Sequence, residues 1–379
     1  MKFRVDRDVL AEAVAWTART LPARPSVPVL AGMLLDANDG SESALKLSSF
    51  DYEVSAQSRV DVDAAEPGVS LVSGRLLAEI CRSLPNQPVD VTVDGAKVTL
   101  TCGSAKFTLP TLPVEDYPSL PEMPPAAGSV TSDVFSAAVA QVAVAAGRDD
   151  TLPMLTGIRV EIEGETVTLM ATDRYRAAIR ELHWTPERPD LSAAALVPAR
   201  TLADTAKSLT SGPQVSLALS TGGTGEGMIG FEGGGRRTTT RLLDGESFPK
   251  LRSLFPTEAP TCTDIQTAPF VEAVKRVALV AERNTPIRLS FTQDQVTLEA
   301  GAGDEAQAVE VVDATMEGDD IRIAFNPQYL LDGLGAIGSD VARLEFTTST
   351  KPAVITAKPA EDGAAPDYRY LIMPIRLSG

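Results

Sequence analysis

One phrase occurs three times in this chain, and any fold it adopts must repeat with it. Leu196–Leu209, LVPARTLADTAKSL, reads as a β-prone pair, a basic residue at a helix start, and an apolar stripe at Leu202, Ala203, Ala206 and Leu209. Those spacings share one helical face. Leu71–Leu84 places Leu77, Ala78, Cys81 and Leu84 in the same slots, and Ile323–Ile337 places Leu330, Leu331, Leu334 and Ile337 there. Asn326 followed by Pro327 is a favourable N-cap and first-turn pair, so the third copy is expected to start its helix there. Arg75 and Arg200 lie 125 residues apart, and Arg200 and Gln328 lie 128 apart. A period of that length repeats whole domains rather than short solenoid units.

A second phrase precedes each copy of the first. Leu10-Ala-Glu-Ala-Val, Phe135-Ser-Ala-Ala-Val and Phe270-Val-Glu-Ala-Val align, which puts Ala13, Ala138 and Ala273 in register. The periodicity expects helices over Arg7–Thr20, Asp133–Gly147 and Pro269–Glu282, with the alanines allowing close packing. Pro28, Pro153 and Pro286 then lead alternating segments with hairpin signals at Asp94-Gly95, at Glu163-Gly164 and near Asp294. Linkers rich in Pro, Ala and Thr follow at Glu122–Gly128 and Thr257–Thr261. The expected organisation is three α+β domains, 1–125, 126–258 and 259–379, each with two helices packed on an antiparallel sheet. Similar sheets joined by short linkers can continue edge to edge and gather the helices on one side.

The remaining signals mostly exclude. No apolar run is long enough to span a bilayer, and MKFRVDRDVL has no signal-peptide core, so the expected location is the cytoplasm. Cys81, Cys102 and Cys262 form neither a disulfide framework nor a zinc spacing, and the single histidine, His183, has no evident catalytic partners. No metal and no cofactor is expected. Gly225-Glu-Gly227-Met-Ile-Gly230 matches GxGxxG but is followed by a β-prone stretch, which reads as a hairpin tip rather than a dinucleotide site. Asp173 in TDRYR could serve a carboxylate-based hydrolase, although Asp51 at the comparable place in the first repeat favours a turn-fixing role. The net charge of −17 argues against tight nonspecific adhesion to nucleic acid. The expected helices are spared that acidity: with the flanking Arg148 and Arg283 they carry ten basic residues against eight acidic ones.

Taken in order, MKFRVDRDVL, ARPSVPVL, GRLLAEICRSLP, LPTLPVEDYP, DTLPMLTGI, ATDRYR, VPARTL, FNPQYLLDGL and YLIMPIRL resemble the bacterial replicative sliding clamp family, the beta subunit of DNA polymerase III, over essentially the whole chain. The resemblance implies a DNA clamp fold: a head-to-tail homodimer of three-domain subunits, a ring with helices lining the hole and duplex DNA passing through. It implies no enzymatic activity. By position it places Arg24, Arg75, Arg148, Asp149, Pro153 and Met154 against DNA. A cleft for short linear peptides is implied at Leu155, Thr172, Tyr175, Arg176, Ala177, Pro249 and Leu254, and at Asn326, Tyr329, Thr350, Pro352, Leu371, Met373, Pro374 and Arg376. Its partners would be the polymerase III alpha subunit, the clamp loader, and other polymerases and repair proteins. Ala177 is smaller than the Leu-like residue of the family, which implies a deeper or looser pocket, as in a specialised second clamp with altered inhibitor sensitivity. At the ring interface, Phe107 and Leu109 should meet Leu279 and Val280 of a second copy.

Overall fold

The computed structural model describes residues 1–38, 44–220, 227–281, 285–301, 306–359 and 366–376. Among them run six α-helices: α1 (Arg7–Thr17), α2 (Gly74–Ser83), α3 (Ser132–Ala143), α4 (Ala199–Ser208), α5 (Thr267–Val277) and α6 (Pro327–Ala336). The starts of α1 and α6 have side-chain caps. Asp6 Oδ1 accepts from the Asp8 and Val9 amides at 2.8 and 3.3 Å, and Asn326 Oδ1 accepts from those of Gln328 and Tyr329 at 2.9 and 3.2 Å. Each cap satisfies donors that have no partner within the helix. The first helix of each repeat ends earlier than its apolar pattern suggests. α1 and α5 tighten into 3-10 turns at Ala18–Thr20 and Ala278–Val280, and α3 stops at Ala143. α5 also begins two residues ahead of Pro269, because a proline within the first turn forfeits no helical hydrogen bond.

The folded chain divides into two compact units that cut across the repeats. One comprises Met1–Asp133, Thr185–Arg188 and Asp204–Leu242; the other comprises Val134–Trp184, Pro189–Ala203 and Leu243–Gly379. Among the described residues each unit has one continuous antiparallel sheet, of fourteen strands in the first and twelve in the second. The middle repeat contributes strands to both. In the first unit its last strand, Arg236–Arg241, pairs with Val54–Ser58 of the first repeat, with Thr239 opposite Ser55. In the second unit the last strand of the third repeat, Tyr368–Ile372, pairs with Arg176–Arg180 of the middle repeat, with Leu371 opposite Ala177. Both junctions therefore join the final strand of one repeat to the fourth strand of the repeat before it.

The expected hairpins form. Val89–Asp94 turns back into Lys97–Cys102, and Gly157–Glu163 into Thr166–Thr172, with Gly95 at φ 55° and Gly164 at φ 57° supplying the left-handed turn positions. Gly227 leads into a strand, Met228–Gly233, that contains Gly230 and turns at Gly234-Gly235 into another strand, so no helix follows to hold a dinucleotide phosphate. Gly225 lies outside the described residues.

The first unit packs α1 against α2 and buries Phe3, Leu10, Val14, Met33, Leu35 and Leu77 in one core. In the second unit α5 lies against α6, and Phe291 and Phe346 meet at 5.0 Å between ring centroids. The aligned alanines, Ala13, Ala138 and Ala273, are all buried. Gly333 lets α6 close onto the final strand, since a Cβ there would come within 2.5 Å of the Tyr370 ring. Gly333→Val should therefore lower stability by about 1–3 kcal/mol through overpacking, with no gain from helix propensity. Thermal or urea unfolding checks this, and an unchanged midpoint would contradict it.

Candidate functional site

The strongest clustering of chemistry lies in the second unit, where the strand Thr166–Thr172 turns at Asp173 into Arg176–His183. Asp173 Oδ1 accepts from the Tyr175 and Arg176 amides at 3.0 and 3.1 Å. This closes the turn and holds Arg174 at φ 81°. The first repeat builds the same turn: Asp51 accepts from the amides of Glu53 and Val54, and Tyr52 sits at φ 75°. Two non-glycine residues held in the left-handed region at matching places show that the turn is imposed by its surroundings. Asp173 is thereby occupied as a structural acceptor, and it also pairs with Arg176 Nε at 2.9 Å. It is no free general acid or base.

Arg176 is the hub of this region. Only 6% exposed, it bonds Asp173 through Nε and Asp332 Oδ2 through Nη1 at 2.5 Å, and its guanidinium lies 4.3 Å from the Tyr329 ring centroid. Tyr370 Oη sits 3.5 Å from Arg176 Nη1 and donates to the Tyr329 carbonyl at 2.8 Å. Gln328 Nε2 donates to the other oxygen of Asp332 at 2.8 Å. Burial works against the Arg176 charge, yet its bonds to Asp332 and Tyr370 and the nearby Asp173 carry its pKa above the ordinary arginine value. Burial also pushes the Tyr370 hydroxyl up. A buried cation so fully partnered is a fixed part of the frame.

Around this hub lies a cavity of about 600 Å³, walled by Leu155, Tyr175, Arg176, Tyr329 and Asp332 and reaching Arg148 and Asp149. Tyr175 and Tyr329 stack at its mouth, 6.4 Å between centroids, with Tyr175 54% exposed. Beside it lies an apolar cluster of Met170, Ala177, Ile179, Leu196, Phe248, Leu251, Phe255, Val354 and Leu371, with Met154 packed against it. The cavity and the cluster thus bring together Leu155, Tyr175, Arg176, Ala177, Tyr329 and Leu371 of the cleft set and join to them Arg148, Asp149 and Met154 of the DNA set. Ala177 is 1% exposed on the floor of that cluster. Met373 is 39% exposed and Leu254 51% exposed, while Pro249, Pro352 and Pro374 are half-buried. The Met373 amide donates to the Tyr175 carbonyl at 2.8 Å, which ties the last strand to the mouth of the cavity.

Several expected roles look different in place. Asn326 spends its carbonyl oxygen on the α6 cap, and the Arg176 guanidinium is held by Asp173 and Asp332 of its own chain. Thr172 is buried and donates to the Arg176 carbonyl at 2.7 Å. Thr350 and Arg376 are exposed beyond the apolar cluster. Arg24 and Arg75 lie in the first unit, both exposed, with Arg75 Nη2 donating to the Pro22 carbonyl at 3.1 Å. Arg148 and Pro153 are exposed, and Asp149 accepts from the Thr151 hydroxyl and amide, which hold its carboxyl below the usual range. Leu109 is 1% exposed within its own core, whereas Phe107 is half-buried at that core's edge. Leu279 is 83% exposed and Val280 half-buried.

Sequence reasoning missed Asp332, because its helix was read only for its apolar stripe. It also missed Val309 and Val311, 64% and 52% exposed, which sit in a segment whose apolar residues fall on both faces of a strand. Among the described residues no group of three or more His, Cys, Asp or Glu could hold a metal ion, and no helix is long and apolar enough to cross a membrane.

The loop carrying Phe248 and Leu251 is fastened by ion pairs. Glu161 binds Arg159 Nε at 2.7 Å and Arg252 Nη2 at 3.2 Å, and Arg159 reaches over the Phe248 ring. Burial raises the Glu161 pKa, but the two arginines outweigh it and hold the carboxyl below the usual range. Its contribution to stability is therefore complete above the ordinary glutamate pKa and lost as pH falls through the lower folded value. Amide exchange over Leu251–Phe255 should quicken across that acid step. Arg252→Met should show the faster exchange already at neutral pH, and identical profiles for the two proteins would refute the coupling.

Comparison with known proteins places these features in a family. Three family profiles match in order: DNA polymerase III beta subunit, N-terminal domain, over residues 1–121, central domain over 129–250, and C-terminal domain over 252–376. The chain is 67% identical over 380 residues to the beta sliding clamp of Streptomyces coelicolor, with 100% of both chains covered. It is 46% identical over 377 residues to the beta sliding clamp homolog GriR of Streptomyces muensis, covering 99% of each. The crystal structure of a sliding clamp from Pseudomonas aeruginosa bound to griselimycin matches with a TM-score of 0.90 at 28% identity, over 100% of both chains.

Proposed function

The chain belongs to the DNA polymerase III beta subunit family, and we propose that it acts as a DNA sliding clamp, a non-catalytic processivity factor that encircles duplex DNA and tethers the replicative polymerase. Its clamp domains run over 1–125, 126–258 and 259–379. It works in the cytoplasm, where the chromosome is replicated. The closer identity to the Streptomyces coelicolor clamp than to GriR favours the general replicative role over a specialised copy.

The observation that carries this reading is the repeated strand junction. Twice within the chain, the last strand of a repeat adds to the fourth strand of its predecessor. Applied a third time, the same rule calls for the last strand of the first repeat, Ala105–Leu112, and the fourth strand of the third, Ala308–Glu317. Among the described residues, Ala105–Pro110 pairs only with Lys97–Cys102, and Ala308–Asp313 only with Gln295–Ala300. Open strand edges bearing Val309 and Val311 are a standing invitation to pair. A second copy, head to tail, supplies both missing partners, and two chains then close six repeats into a ring. Phe107 would meet Leu279 and Val280 beside that junction, with Leu109 supporting from the core. Val311→Asp should shift the dimer toward monomer in sedimentation velocity at micromolar concentration. A dimer unaffected by the charge would refute this junction.

Arg24, Arg75 and Arg148, with Asp149, Pro153 and Met154, form the DNA-facing set. On a chain of net charge −17 such a set is sparse, which suits a tether. A ring holds DNA by topology, and weak, exchangeable phosphate contacts let it slide.

The second unit's groove is the docking site for short linear peptides of the polymerase III alpha subunit, the clamp loader, and other polymerases and repair proteins. Leu155, Ala177, Leu371, Met373 and Pro374 receive apolar anchors, flanked by Pro249, Leu254 and Pro352. Thr172, Tyr175, Arg176, Asn326 and Tyr329 hold the frame, with Thr350 and Arg376 at the periphery. A labelled peptide of the QLxLF type should bind the wild type, and Met373→Ala should weaken it roughly tenfold, about 1.4 kcal/mol. Equal polarisation curves for the two proteins would refute the assignment.

A further inference from the structure

Tyr329 stands at the mouth of the second unit's cavity, and its backbone and its ring are placed by different groups. Asn326 Oδ1 accepts from its amide at 3.2 Å, and its carbonyl accepts from Tyr370 Oη at 2.8 Å. Those bonds fix the backbone only. The ring is carried by the Arg176 guanidinium, 4.3 Å from its centroid, with Tyr175 stacked at 6.4 Å. A guanidinium supports a ring in this way only while its own plane is held. Asp173 Oδ2 accepts from Arg176 Nε at 2.9 Å and Asp332 Oδ2 accepts from Nη1 at 2.5 Å, so a carboxylate grips each side of the fork. Asp332 reaches it from α6, three residues after Tyr329 and on the same helical face. Its other oxygen accepts from Gln328 Nε2 at 2.8 Å. Asp173 is fixed by its turn, so Asp332 is the acid that ties Arg176 to the helix bearing the ring.

The first junction forms without this arrangement. By the repeat alignment Val54 corresponds to Arg176, Thr201 to Tyr329 and Thr238 to Tyr370, and the acid retained at Asp204 has no matching arginine. The strands pair in the same register nonetheless, Thr238 opposite Ala56 as Tyr370 is opposite Ala178. The cluster is therefore no requirement of strand joining. It is present where the floor of the groove is apolar, beside Ala177 and Leu371.

We infer that Asp332 is a positioning residue of the docking groove: through Arg176 it sets the tilt of the Tyr329 ring, and so the shape of the mouth that a peptide must pass. Without its carboxylate, Nη1 keeps only Tyr370 Oη at 3.5 Å, and a buried cation stripped of one acid is drawn toward water. The adjoining cavity of about 600 Å³ gives the guanidinium room to turn that way. The ring then loses its seat, although Asp332 itself need never touch the peptide. The inference rests on the reading of this groove as a peptide site.

Fluorescence polarisation of a labelled QLxLF-type peptide on the intact protein tests it. Asp332→Asn, nearly isosteric but uncharged, should weaken binding roughly tenfold, the scale of one charge-assisted hydrogen bond. Asp332→Glu should recover most of that affinity, since the cavity beside it admits one more methylene and the carboxylate still reaches Nη1. In a Tyr329→Leu background the same Asp332→Asn change should cost less than about twofold, because the ring through which it acts is gone. A loss through general instability would persist in that background, and unfolding midpoints show that each variant is folded. If Asp332→Asn binds like the wild type, or its cost is undiminished without the ring, the inference is overturned, while weakened binding by Met373→Ala leaves the peptide site standing. If the wild type does not bind, or Met373→Ala changes nothing, the peptide-site reading falls and takes this inference with it.

Discussion

Antiparallel pairing across repeat boundaries is the interaction on which the rest of the molecule depends. A β-strand at a sheet edge carries a row of unpaired amides and carbonyls, and each repeat ends on such a strand. By laying it on the fourth strand of its predecessor, the chain converts three repeats into two long sheets. This explains why the compact units ignore the repeat boundaries: hydrogen bonding along a continuous sheet holds neighbouring strands together more firmly than membership of one repeat does. It also leaves the unpaired stretches Ala105–Pro110 and Ala308–Asp313 as the natural places for a second copy.

Each junction also creates a groove, because two sheets that meet edge to edge leave a furrow for the connecting segment to cross. The two furrows share a backbone and differ in side chains. Around Ala177 the floor is apolar and the cations are drawn into fixed pairs, Arg176 with Asp173 and Asp332, and Arg159 with Glu161. Around Ser55 the floor is polar, and Ser55 Oγ and Thr239 Oγ1 meet at 2.6 Å across the strands. The repeated backbone supplies the geometry twice, and the side chains on each floor differ. The left-handed residues Tyr52 and Arg174 mark how closely the duplicated backbone has been kept.

The charge distribution follows from the same division of labour. Strands and loops carry the acidity, while the helices are left nearly balanced. Tight phosphate binding would oppose sliding, so on the proposed reading a ring gains from exposed but sparse arginines such as Arg24, Arg75 and Arg148. Affinity is replaced by topology.

Much of this was legible in the sequence. The period between Arg75, Arg200 and Gln328 gave three repeats, the alternating segments gave hairpins, Asn326-Pro327 gave a capped helix, and Asp51 and Asp173 gave matching turns. These are local: caps, turns and apolar periods are set by residues within a few positions of one another. What the tertiary structure decided is nonlocal. Asp332 reaches Arg176 across 156 residues, and Ser55 meets Thr239 across 184. No spacing rule reports a contact of that range. Leu109 is buried in the core of its own unit, and Val309 and Val311, which the sequence reading did not single out, lie exposed on an unpaired stretch of strand. The sequence by itself determined which elements form and that they form three times over. Only the folded sheet decided which edges meet, because strand pairing is chosen by the geometry of whole layers rather than by any residue alone.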